Sequence, residues 1–99
     1  MIRPTSVVVF GYKFKIKYLT LADNHGETNL DTKEIYIDSK VVGDNLKNTI
    51  LHEVIHAILL ISGQSFHLAH EYEEALVRTL EHGLAPLVTM NMFIGEEDE

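Results

Sequence analysis

The sequence has no cysteine and no tryptophan, only two prolines, and eight lysines and arginines against fifteen aspartates and glutamates. Without cysteine there is no disulfide and no thiolate ligand, so a metal ion can be held only by His, Asp, Glu or water. The formal net charge of −7 argues against nucleic acid as a main ligand, since a phosphate backbone is bound through clustered Lys and Arg. The longest apolar stretch, from Ile50 to Ile61, is too short to cross a bilayer and is interrupted by His52, Glu53 and His56. The first residues, Met1 to Ser6, lack the charged-then-apolar order of a signal peptide. Together these features lead us to expect a soluble, cytoplasmic protein with no membrane partner.

A chain of 99 residues supports one core and a shallow site. Residues 1–94 are expected to form that single domain. Residues 95–99, containing Glu96-Glu97-Asp98-Glu99, have no apolar partner and are expected to form a disordered acidic tail. Setting those four charges aside leaves the body at about −3, close to neutral for a small domain.

Val7, Val8, Val9 and Phe10 are followed by a turn at Gly11-Tyr12. Phe14, Ile16 and Tyr18 then alternate with Lys13, Lys15 and Lys17, the signature of a β-hairpin with one buried face and one wet face. Ala22 to Lys33 are polar, rich in turn formers, and read as a loop. Glu34-Ile35-Tyr36-Ile37-Asp38 reads as a third strand. Asp44 or Asn45 is expected to cap a helix that runs through Ile61 and stops at Gly63. Ser65 is expected to cap a last helix with Leu76, Val77, Leu80, Leu84 and Leu87 at three-to-four spacing, broken by Pro86 near His82 or Gly83. The fold class is therefore α+β, with a three-stranded sheet, a central apolar helix and a C-terminal helix rich in glutamate.

The central helix carries His52-Glu53-Val54-Ile55-His56. Residues four apart on a helix lie one above the other, so His52 and His56 can reach one metal ion, with Glu53 beside them as a general base. Two imidazoles and a carboxylate on an otherwise apolar helix are costly to desolvate without such a purpose. A three-histidine extension would need His where Ser62 stands, so the third ligand must come from the following helix, where Glu73 and Glu74 are both placed to supply it. Tyr36 and Tyr72 are possible donors to a tetrahedral oxyanion. His25, His67, His70 and His82 read as surface residues.

The succession of a hairpin, the strand Ile35-Tyr36-Ile37-Asp38, His52-Glu53-Val54-Ile55-His56-Ala57, and Glu74 followed by Val77 and Leu80 resembles small phage and prokaryotic gluzincins, minimal relatives of the ImmA/IrrE-type zinc peptidases. The resemblance covers roughly residues 7–91. It implies a minimal zincin-like fold and a Zn²⁺-dependent peptidase acting on peptide or protein substrates, in the host cytoplasm if phage-encoded. It further implies Glu53 as catalytic base and His52, His56 and Glu74 as ligands, with Glu73 the alternate. Strand Glu34–Asp38, as the edge beside the site, would bind an extended peptide by strand addition. The competing expectation is a zinc-containing latent or non-catalytic regulatory module.

Overall fold

The computed structural model describes residues 3–93, so the acidic tail lies outside the described residues. The elements are strands β1 (Ser6–Val9), β2 (Tyr12–Leu19), β3 (Gly26–Asn29) and β4 (Glu34–Asp38), then helices α1 (Gly43–Ile61) and α2 (His70–Leu84). Short 3₁₀ turns follow each helix. The class is α+β, as the hydrophobic periodicities imply, but the sheet has four strands in the order β1-β2-β4-β3.

The β1–β2 hairpin turns through Phe10 and Gly11, with φ of 51° and 80°. Positive φ at both central residues is the turn whose twist matches that of the flanking strands. In β2 the expected alternation holds: Phe14 and Ile16 are buried, Tyr18 is half-buried, and Lys13, Lys15 and Lys17 are exposed. The Tyr18 hydroxyl donates to the Pro4 carbonyl at 2.6 Å.

The fourth strand corrects the reading of residues 22–33 as a loop. β3 hairpins antiparallel onto β4, pairing Gly26 with Ile37 and Thr28 with Ile35, and β4 runs parallel to β2. Its sequence, Gly-Glu-Thr-Asn, has no apolar alternation; it is a strand because β4 offers it a backbone ladder. β4 is consequently interior, and β3 is the edge.

Helix α1 covers one face of the sheet. Leu46, Ile50, Leu51, Ile55, Ala57 and Leu59 are buried against Phe14, Ile35 and Ile37, each of these three at 0% exposure. The helix starts earlier than Asp44 or Asn45 would place it: Val42 is the N-cap, and neither it nor a capping side chain supplies a bond. Gly43, at φ 63°, turns the chain into the helix and leaves Asp44 in the first turn, where a carboxylate suits the helix dipole. The end is as expected, with Ser62 as C-cap and Gly63 at φ 84° donating to the Leu60 carbonyl.

Ser65 does not cap α2. It lies in a 3₁₀ turn (Gln64–His67), and extended Ala69 begins the helix instead. The α-helix continues to Leu84, slightly beyond the expected break, and Pro86 sits in the 3₁₀ turn Ala85–Leu87 that follows. Val77 is the one residue of α2 that is fully buried. Downstream, Phe93 returns to the core, and Lys47 donates to the Ala85 carbonyl at 2.9 Å. Among the described residues no helix is long and apolar enough to cross a membrane.

Candidate metal centre

His52 and His56 project from consecutive turns of α1 with ring centroids 5.0 Å apart. Helix α2 supplies three carboxylates to them. Glu73 meets Nδ1 of His56 at 2.7 Å and Glu81 meets Nδ1 of His52 at 2.8 Å. Glu74 faces the opposite ring nitrogens: its Oε1 is 2.5 Å from Nε2 of His56 and 3.6 Å from Nε2 of His52.

In the tautomer that donates from Nδ1 to Glu73 or Glu81, each ring has its lone pair on Nε2, the nitrogen that faces Glu74. Two such lone pairs and a carboxylate oxygen then converge, and ligand atoms of His52, His56 and Glu74 all lie within 4.8 Å of one another. Three Lewis bases at that separation repel unless a proton or a metal ion lies among them, and two imidazoles with one carboxylate are a suitable donor set for a divalent metal. The Nδ1–H···carboxylate contacts are those that orient metal-binding histidines and raise their basicity. The residues present therefore fit a metal ion.

Glu53 stands on the same helix with only 6% of its surface exposed. The Thr28 hydroxyl, on the edge strand, donates to Glu53 Oε1 at 2.6 Å. Gly26, two residues earlier on that strand, lets the backbone approach: a Cβ there would lie 3.0 Å from Glu53 Cγ and 3.1 Å from its Oε2. Burial pushes the Glu53 carboxyl above its ordinary range, against the opposing influence of Thr28 and the two histidines. Burial also works upward on Glu74, but His56, His52 and Arg78 outweigh it and hold that carboxyl below its ordinary value.

These groups line an open cleft of about 840 Å³ between β3 and α2. The structure brings together His52, Glu53, His56 and Glu74, and puts Glu73 behind His56 on the nitrogen away from Glu74. Tyr72 is 68% exposed, and the Tyr36 hydroxyl bonds to Glu34; neither lines the cleft. His25 and His70, read from sequence as surface residues, are exposed but do line it.

Sequence reasoning missed Gly26, Thr28, Arg78 and Glu81. Glu81 lies eight residues after Glu73, a spacing that returns to a neighbouring helix face and is the one signal that points to it. The sequence matches no family model and no curated protein.

Proposed function

We propose that the chain is a zinc-dependent, gluzincin-like peptidase in which His52, His56 and Glu74 hold the ion and Glu53 is the general base. The observation that carries this reading is the convergence of His52 Nε2, His56 Nε2 and a Glu74 oxygen beside the buried carboxylate of Glu53. When bound, zinc supplies Lewis acidity, easing ionisation of water and polarising a carbonyl.

Glu53 supplies the proton transfers. Its carboxylate, steadied through Oε1 by Thr28, accepts a proton from the attacking water as the water oxygen bonds to the scissile carbonyl carbon. The same carboxyl then gives that proton to the departing amine nitrogen as the C–N bond breaks. A carboxyl whose affinity for protons is raised by burial suits both halves of this transfer near neutral pH. Substrate is aligned by β3, not β4. Strand β4 is paired on both sides, whereas β3 has, among the described residues, one unpaired edge to which an extended peptide can add as a further strand.

The test is Glu53→Gln, assayed on an unfolded protein substrate with metal content measured on the same sample. Zinc should be retained while cleavage falls by about 10²-fold or more. Cleavage equal to wild type would refute the assignment.

A further inference from the structure

Addition of water to a carbonyl leaves a negatively charged oxygen, and a peptidase needs a donor aimed at it. Neither tyrosine suited to this task by sequence reaches the cleft. We propose that Arg78 is that donor: its guanidinium hydrogen-bonds the carbonyl oxygen as it becomes negative. The proposal rests on the peptidase reading and extends it to a residue that is not itself one of the assigned ligands.

Three observations carry it. Among the described residues Arg78 is the one Lys or Arg in a cleft whose lining includes the carboxylates of Asp23, Glu27, Glu53, Glu73, Glu74 and Glu81. It follows Glu74 by one helical turn, with its Nε 3.8 Å from Glu74 Oε2, while Oε1 of the same carboxylate faces the histidines. The cation is thus placed beside the metal centre, separated from it by the width of one carboxylate. Finally, 3.8 Å is too long for a hydrogen bond, and the Arg78 side chain makes no other ion pair or hydrogen bond among the described residues.

Among the described residues the guanidinium therefore spends none of its five N–H donors on a hydrogen bond. Its side chain is 70% exposed, so the fold does not depend on it and it is free to swing onto a bound substrate. His25 and His70 share the cleft, but among the described residues no side-chain hydrogen bond or ion pair ties either one to the metal centre. An arginine retained only to neutralise Glu74 would change metal affinity; one that binds the oxyanion would change affinity for a tetrahedral anion.

The experiment uses the full chain loaded with zinc and a phosphinic analogue of alanyl-alanine, acetylated at one end and amidated at the other, so that the phosphinate is its only charge. Wild type, Arg78→Ala and Arg78→Lys are compared by calorimetry, alongside zinc titrations and steady-state kinetics. Arg78→Ala should bind zinc like wild type, bind the phosphinate about 10²-fold more weakly, and lose kcat by a similar factor with little change in KM. Arg78→Lys should recover part of the affinity. Unchanged phosphinate binding in Arg78→Ala would overturn the proposal. So would a loss confined to the same analogue with a free C-terminal carboxylate, which would make Arg78 a reader of chain ends, and so would a fall in zinc affinity that accounts for the whole effect. Failure of the wild-type chain to take up zinc is seen separately in the titration and removes the peptidase reading itself.

Discussion

Replacing Gly26 by alanine would put a Cβ 3.0 Å from Glu53 Cγ, 3.1 Å from Glu53 Oε2 and 3.1 Å from Thr49 Cγ2. Carbon atoms pack comfortably at about 3.5–4.0 Å, so these neighbours would have to give by roughly half an ångström. Neither yields easily. Thr49 is a β-branched residue on α1, and Glu53 is buried with its Oε1 fixed at 2.6 Å from the Thr28 hydroxyl. Overpacking of this kind costs about 1–3 kcal/mol. For a domain of this size that is a fall in melting temperature of about 4 °C or more. Because the strain falls on Glu53 and not on His52, His56 or Glu74, kcat should drop at least about tenfold while zinc affinity holds. Gly83→Ala is the control: nothing lies within 4 Å of a Cβ there, and the residue is helical, so the change should stabilise by up to about 1 kcal/mol. Thermal melts, zinc titration and peptide-cleavage kinetics on the two variants decide the matter. A Gly26→Ala protein that melts and cleaves like wild type would show that β3 does not clasp the general base.

Removing either supporting carboxylate, by Glu73→Ala or Glu81→Ala, should lower zinc affinity by about 10–100-fold without unfolding the chain; unchanged affinity in calorimetry would mean the Nδ1 contacts do not matter. Thr28→Val takes away the one hydrogen bond that opposes burial at Glu53, so its affinity for protons should rise, and the acid limb of the kcat/KM profile should move to higher pH. An acid limb that stays in place would contradict this. On the outer face of the sheet, hydrogen bonds from Lys17 and Tyr36 lower the Glu34 carboxyl from 4.5 to about 2. A depressed folded-state value means stability that is complete above pH 4.5 and is lost as pH falls towards 2, so the advantage of wild type over Glu34→Gln in acid unfolding should shrink across that window. A pH-independent difference would argue against it.

The parts legible in the sequence were those with a periodicity of their own. His52, Glu53 and His56 stand out because three titratable groups in a stretch, Ile50 to Ile61, otherwise built from Ile, Leu, Val and Ala need an explanation that spacing supplies. Phe14 and Ile16 alternate with lysines and are buried, whereas Tyr18 remains half-exposed with its hydroxyl on Pro4. The parts that were not legible depend on neighbours distant in sequence. Strand β3 is polar throughout, and only its pairing with β4 makes it a strand. Gly26 and Thr28 matter because that pairing lays them over Glu53, which local sequence cannot reveal. Glu73, Glu74 and Glu81 look alike on a helix rich in glutamate, and only the packing of α2 beside α1 gives each its own partner nitrogen. The start of α1 escaped for another reason: Gly43 turns the chain one residue ahead of Asp44 and two ahead of Asn45, so backbone geometry took precedence over capping preference.

Anomalous diffraction at the zinc edge, from crystals of the full chain grown with zinc, tests the central claim most directly. The account predicts one ion per chain, bonded to Nε2 of His52, Nε2 of His56 and an oxygen of Glu74, with Glu73 and Glu81 remaining on the two Nδ1 atoms. No peak at this position, or an ion held by Glu73 or Glu81 in place of Glu74, would contradict it.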